Sequence, residues 1–247
     1  MKSISIAAPV YNEELNIENC VSTWLDVLNE LQIIDYEIVL CDDKSTDNSI
    51  EIINKLIKSN SNIKLVRHQI NQGAAKAVIS AGNSSTKERV LFVDSDGQFP
   101  KESIKAIIDT SNKNPNITIF GARTTKEDSF LTQLGTKMTT ILFNIIYQKN
   151  LTDISCILKI YPKDIYQSLF LESTGLNVST EMSCRTLELG CPIIEQRVAH
   201  RLREFGTSSA AGIRFIKHGF KRIAILKYFM YRRILIAMNI LSVNSSK

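Results

Sequence analysis

Arg89-Val90-Leu91-Phe92-Val93-Asp94-Ser95-Asp96-Gly97-Gln98-Phe99-Pro100 is the stretch on which the fold turns. An apolar run of strand length stops at two carboxylates and a turn, and a helix opens near Pro100. The same grammar recurs upstream. Ile4–Ala8, Tyr36–Cys41 and Ile63–Arg67 read as strands. Glu13–Leu31, Thr46–Lys58 and Gly73–Gly82 read as helices with one apolar face. Ile117–Gly121 reads as a further strand. Strands alternating with helices at this spacing predict βαβ units and an α/β fold, with a mostly parallel sheet flanked by helices.

In such sheets ligands bind beyond the carboxyl ends of the strands. The residues there are polar and mostly acidic: Pro9-Val10-Tyr11-Asn12-Glu13, Asp42-Asp43-Lys44-Ser45, Asn71-Gln72-Gly73, Asp94-Ser95-Asp96 and Gly121-Ala122-Arg123. The second half is less regular. Phe130–Tyr147 and Leu176–Leu189 read as helices, and Ile154–Ile160 and Ile193–Val198 as strands.

Composition narrows the classes. With 30 basic and 25 acidic residues the net charge is +5, too small an excess to imply nucleic acid. Cys20, Cys41, Cys156, Cys184 and Cys191 form no C-x-x-C pair, so they predict buried free thiols in a reducing compartment, not a zinc site. The N-terminus runs straight into strand-like sequence, with no leader pattern. The late apolar stretch Ile223 to Val243 is broken by Lys227, Arg232 and Arg233, which are costly at a bilayer centre. No acidic residue follows Glu204, whereas Arg214, Lys217, Lys221, Arg222, Lys227, Arg232 and Arg233 do. Such a tail suits either an anionic membrane surface or a solvated helix face packed on the domain.

Asp94 and Asp96 are spaced so that extended backbone points both carboxylates the same way. They repel each other unless a cation intervenes, and a hard divalent ion with oxygen ligands fits. Gln98 adds a neutral oxygen. An Asx turn capping the next helix is the plainer reading. Asp42 and Asp43 are equally open, either as acidic residues of a helix start or as partners of a base or ribose. Arg123 and Arg203 have guanidinium forks suited to phosphate, although loop arginines are commonly solvated.

Four segments in order carry a resemblance: Ala8-Pro9-Val10-Tyr11-Asn12-Glu13-Glu14, Cys41-Asp42-Asp43-Lys44-Ser45-Thr46-Asp47, Asn71-Gln72-Gly73-Ala74-Ala75-Lys76-Ala77, and Val93 through Pro100. Together they resemble family 2 glycosyltransferases with the Rossmann-like GT-A fold. The D-x-D-x-Q form, Phe120-Gly121-Ala122-Arg123 and Arg203-x-x-Gly206-x-Ser208 look like the dolichyl-phosphate mannose synthase, or polyprenyl-phosphate glycosyltransferase, group. The resemblance implies that Pro9, Tyr11, Glu13 and Asp43 hold base and ribose. Gly73, Lys76, Asp94 and Gln98 would also bind the nucleotide-sugar. Asp94, Asp96 and Gln98 would hold Mg²⁺ or Mn²⁺. Arg123 and Arg203 would act with Asp96 in catalysis, on the phosphates of donor or acceptor. Lys44 replaces the usual glycine of the Asp-Asp-Gly-Ser turn, which implies an altered turn geometry.

The implied reaction moves a hexose from a nucleoside-diphosphate sugar with inversion. A hydroxyl acceptor needs a base, whereas a phosphate monoester is already ionised. The resemblance implies where a base would sit: hydroxyl-glycosylating relatives carry an acidic pair before a helix ending in an Arg…Gly pattern like Arg185…Gly190, and counting back places that position at Ser179, which cannot serve; Glu181 remains open. A polyprenyl phosphate acceptor is therefore expected, with a hydroxyl of a soluble glycan or cell-surface polysaccharide precursor as the alternative. A sugar nucleotidyltransferase is remote, because Pro9–Glu14 has neither the glycine nor the basic residue of its loop. The apolar stripe Leu131, Leu134, Met138, Ile141, Leu142 and Ile145 predicts membrane-surface contact or core packing. The expected organisation is a catalytic domain over 1–210 and a basic amphipathic helical extension over 211–247, which could pair with another chain. The expected location is cytoplasmic, peripheral on the inner face of the membrane.

Overall fold

The computed structural model describes residues 3–124, 130–172, 178–203, 224, 227–238 and 240 of the 247, with side chains 130–136 left aside. The strands are β1 (Ile4–Val10), β2 (Tyr36–Asp42), β3 (Ile63–Arg67), β4 (Arg89–Phe92), β5 (Thr118–Arg123), β6 (Lys159–Pro162) and β7 (Ile193–Val198). The helices are α1 (Ile17–Glu30), α2 (Ser49–Ser59), α3 (Ala74–Ser84), α4 (Lys101–Lys113), α5 (Phe130–Tyr147), α6 (Lys163–Gln167) and α7 (Val178–Glu188). A further helix runs over 227–237.

The sheet order is β3-β2-β1-β4-β6-β5-β7. It is parallel except at β6, which runs antiparallel between β4 and β5. β1 pairs with β2 on one side and β4 on the other, so the chain reverses its winding there and a crevice opens beyond their carboxyl ends. The central strands are buried on both faces, which is why they read as continuous apolar runs.

Two sequence readings shift by more than three residues. The expected helix at Glu13 begins only at Ile17, and Leu15 is exposed. Asn12 sits in the left-handed region (φ 56°) and the Glu13 carbonyl accepts from Asn16 and Ile17, so 11–16 form a loop. From there Ile17, Cys20, Val21, Trp24, Val27 and Leu28 bury one helical stripe. The expected strand Ile154–Ile160 survives only from Lys159, because side chains claim the polar backbone groups before it. The short α6 has too few residues for a periodic signal.

Gly121 on β5 has a steric role. A Cβ there would lie 2.7 Å from the Leu158 carbonyl oxygen and 3.1 Å from Cys156 Sγ. Gly121→Ala is expected to destabilise the fold by about 1–3 kcal/mol through overpacking, read as a lower thermal midpoint.

Candidate active site

The crevice is built from loops that brace one another. Asn12 N–H donates to Ser45 Oγ (3.0 Å), Glu13 N–H to Ser49 Oγ (2.8 Å) and Glu14 N–H to Asp47 (3.0 Å). In return Thr46 and Asn48 N–H groups donate to the side chains of Asn12 and Glu14. These bonds lock the β1–α1 loop to the β2–α2 loop. Ser95 Oγ donates to the Pro9 carbonyl at 2.6 Å, tying the acidic turn to the same frame.

Asp42 and Asp43 are both buried. Where the sequence offered a base or ribose as their partner, both carboxylates have partners within the chain. Asp43 Oδ1 pairs with His68 Nδ1 (2.7 Å) and accepts from Gln72 N–H (2.8 Å), while Oδ2 accepts from Gly73 N–H (2.7 Å). The carboxylate thus shapes the loop that presents Gly73 (φ 91°) and Lys76, in the first turn of α3. Asp42 accepts from Ser45 N–H. Lys44 adopts φ 66°, the left-handed conformation that glycine favours. Lys44 thus takes, where glycine is usual, a backbone conformation that strains a residue with a side chain.

Asp94 and Asp96 lie just past β4, each half-buried, and Asp96 Oδ1 accepts from Gln98 N–H at 3.1 Å. Burial, then repulsion by Asp96, pushes the Asp94 carboxyl up to about 7, with Glu13 adding to the rise and Arg123 and Arg203 opposing it. Burial also raises Asp96, against the Gln98 N–H, Arg203 and His200. The residues expected from separate loops thus stand within electrostatic reach of one another. Glu13 is buried, takes the Arg203 guanidinium at 2.5 and 2.6 Å and accepts from Asn16 at 2.8 Å. Arg123 grips Asp153 through Nε (2.7 Å) and one Nη (3.2 Å). Tyr11 stands exposed at the rim.

A strap over 199–203 crosses the acidic turn. Arg201 N–H donates to the Gln98 carbonyl, and Gln98 Nε2 donates to the Arg201 carbonyl, both at 2.9 Å. His200 packs edge-on against Phe99, with centroids 5.0 Å apart. Gly206 and Ser208, the rest of the expected phosphate loop, lie outside the described residues. Sequence reasoning missed Asp153, His68 and His200; only their chain-distant partners reveal them.

The donor set Asp94, Asp96 and Gln98 is all oxygen. The Gln98 amide nitrogen is committed to Arg201, which turns the amide oxygen to other use. Two carboxylates forced towards protonation by burial and each other are what a hard divalent cation relieves, so these residues fit Mg²⁺ or Mn²⁺. Among the described residues no cluster of three or more His, Cys, Asp or Glu could hold a metal, so substrate oxygens would complete the shell.

Residues 5–170 match the family model described as glycosyl transferase family 2. Among curated relatives, the undecaprenyl-phosphate 4-deoxy-4-formamido-L-arabinose transferase of Proteus mirabilis is 25% identical over 222 residues, covering 87% of this chain and 65% of the relative. That of Photorhabdus laumondii is 25% identical over 220 residues, with the same coverage. The chain thus spans about 65% of the length of these relatives. Among solved structures, glucosyl-3-phosphoglycerate synthase from Mycobacterium tuberculosis with Mn²⁺, uridine diphosphate and phosphoglyceric acid superposes with TM-score 0.67 at 16% identity, over 93% of this chain and 78% of that one. S. aureus TarS with UDP-GlcNAc gives 0.63 at 19%, over 93% and 66%. At such identities the likeness shows the fold, a GT-A sheet.

Burial and Asp96 push the Asp94 carboxyl up to about 7, so a cation bound there would have to displace a proton at lower pH. Mn²⁺ is therefore expected to bind roughly tenfold more weakly at pH 6 than at pH 8, as isothermal titration would show.

Proposed function

The chain belongs to glycosyl transferase family 2, and from that premise we propose that it transfers a hexose, with inversion, from a nucleoside-diphosphate sugar to a polyprenyl phosphate. The observation that carries the reading is the convergence of Asp94, Asp96, Arg123 and Arg203 at the carboxyl edge of the sheet. Pro9, Tyr11 and Glu13 line the side for base and ribose. Asp43 acts there through the loop it holds, with Gly73 and Lys76.

Asp94, Asp96 and Gln98 would hold Mg²⁺ or Mn²⁺, which would supply positive charge beside the departing diphosphate, so that no strong acid would be required. Arg123 and Arg203 add fixed cations near that charge. Arg203 is paired with Glu13 and would turn from it towards phosphate oxygens.

The acceptor reading rests on what is missing from the base position. Ser179 is buried, its hydroxyl held by Lys159 Nζ at 2.6 Å and donated to the Cys156 carbonyl at 2.6 Å. Glu181 is also buried, and its carboxylate accepts the Glu172 N–H at 2.9 Å. Ser179 has no carboxylate to take a proton from an attacking hydroxyl, and Glu181 spends one of its oxygens on the Glu172 N–H. A phosphate monoester needs no such carboxylate. The names of the undecaprenyl-phosphate transferases fit the same acceptor class.

A lipid acceptor calls for a lipid-facing surface. On α5, Met138, Ile141, Leu142 and Ile145 are exposed, and Leu131 and Leu134 lie outside the described side chains. On the 227–237 helix, Met230, Tyr231 and Ile234 are exposed. No acidic residue occurs in 130–149 or after Glu204. Exposed apolar side chains with cations and no anions suit the interface of an anionic bilayer, on its cytoplasmic face. The same face would serve for pairing two copies. No helix among the described residues is long and apolar enough to cross a membrane. Arg232 and Arg233 do not belong to this face. Arg232 is buried against Glu188, and Arg233 donates to the Ile146 carbonyl. Arg214, Lys217, Lys221 and Arg222 lie outside the described residues, as does the expected boundary at 210/211.

Two outcomes are expected. A screen of nucleotide-sugars with Mn²⁺ and a short polyprenyl phosphate should give nucleoside diphosphate release that Asp96→Ala abolishes while leaving the circular dichroism spectrum intact; full activity in that variant refutes the metal assignment. The protein should also sediment with anionic liposomes and not with neutral ones. Failure to sediment, with transfer to a free glycan, would move the acceptor to a hydroxyl.

A further inference from the structure

The segment Leu151-Thr152-Asp153-Ile154-Ser155-Cys156 has no regular structure, yet side chains from four elements fasten it. Asn144 of α5 accepts the Leu151 N–H (3.0 Å) and donates to its carbonyl (2.8 Å). Glu195 of β7 accepts the N–H groups of Thr152 (2.8 and 3.0 Å) and Asp153 (3.2 Å). Ser183 Oγ of α7 donates to the Ile154 carbonyl at 2.8 Å, and Ser179 Oγ to that of Cys156. From below, the Lys159 ammonium of β6 donates to the carbonyls of Ile154, Cys156 and Ser179. Lys159 is fully buried and lies 4.9 Å from the Phe120 ring centroid. No carboxylate lies within ion-pair distance of it among the described residues.

Burying an ammonium without a counter-ion is costly, and burial lowers this one to about 8. Ordinary connections run over the surface and need no such frame. The one charged side chain this segment delivers is Asp153, itself buried, with the Ser155 N–H and Oγ donating to Oδ1 at 3.2 and 3.3 Å. What Asp153 holds is Arg123, by a two-point grip that fixes the guanidinium plane. Phe92 of β4 and Phe120 of β5 both pair with Lys159 of β6, so Asp94, just past β4, and Arg123, at the end of β5, leave the sheet at the same edge.

We propose that Asp153 is a positioning residue for the transfer reaction. It sets the plane and place of Arg123 at the diphosphate end of the crevice, and Lys159 with the 151–156 segment is the buried frame that keeps it there. The inference rests on the donor reading given above. A guanidinium on a free side chain would lose rotamer entropy on every binding event. One held by a buried carboxylate meets the phosphate already ordered, as outer-shell partners do for metal ligands.

The test titrates Mn²⁺ with uridine diphosphate and, separately, with guanosine diphosphate into the full chain. Wild type should bind one of them; binding neither would remove the donor reading and this inference with it. Asp153→Asn and Arg123→Ala should each weaken binding roughly tenfold. The double variant should be no weaker than Arg123→Ala alone, because both act through one guanidinium. A merely structural Asp153 would lower the thermal midpoint and leave the binding constant unchanged, and that result overturns the proposal, as do additive effects. Should Asp153→Asn fail to fold, Ser155→Ala decides: it keeps the charge, removes one supporting hydroxyl, and is expected to weaken binding a few-fold. Unchanged binding in that variant overturns the proposal.

Discussion

Glu13, Asp94 and Asp96 bring three carboxylates to one edge of the sheet, where burial and mutual repulsion favour protons or cations beside them. Much of the surrounding structure answers that charge. Arg203 reaches Glu13 from 190 positions away, Arg123 opposes the charge from β5, and His200 does so from the strap. Such a concentration of like charge is retained where it has work to do, and a metal-bound diphosphate is the chemistry that it suits.

Holding these groups in place falls to hydrogen bonds between loops. The β1–α1 and β2–α2 loops exchange backbone and side-chain bonds over some thirty-three to thirty-six positions of sequence. His68, Asp43 and the amides of Gln72 and Gly73 fasten the third loop to the second. Lys44 keeps a left-handed backbone within this frame, a conformation that costs a non-glycine residue roughly 1–2 kcal/mol. The bonds on either side of it supply what the turn lacks in intrinsic preference.

The second half of the chain is organised around charge of the opposite sign. Lys159 sits under the 151–156 segment, and Arg232 and Arg185 share the Glu188 carboxylate. Phe229 completes a small core with Phe143, Tyr147, Ile154 and Cys184. That core and the Arg232–Glu188 pair dock the C-terminal helix on α5 and α7. One face of it is thereby buried, and Met230, Tyr231 and Ile234 point outward.

The sheet was legible in the sequence because buried parallel strands are apolar throughout and flanking helices repeat at 3.6 residues; β3, α5 and β7 fall at the bounds read from periodicity alone. The acidic turn after β4 was legible too, since a strand end fixes on which edge Asp94 and Asp96 emerge. The sequence could not show that Asp43 spends its oxygens on Gln72 and Gly73, that Arg123 is held by Asp153, or that Lys159 occupies Ser179. It placed Arg232 either on an anionic membrane surface or on a solvated helix face, whereas the side chain is buried against Glu188. Each of these is a pairing between residues far apart in the chain, settled by where folding brings charges out of water. Local pattern determined which elements form and where polar groups leave them; tertiary structure decided which of those groups meet, because the energy of a buried charge depends on its neighbours in space.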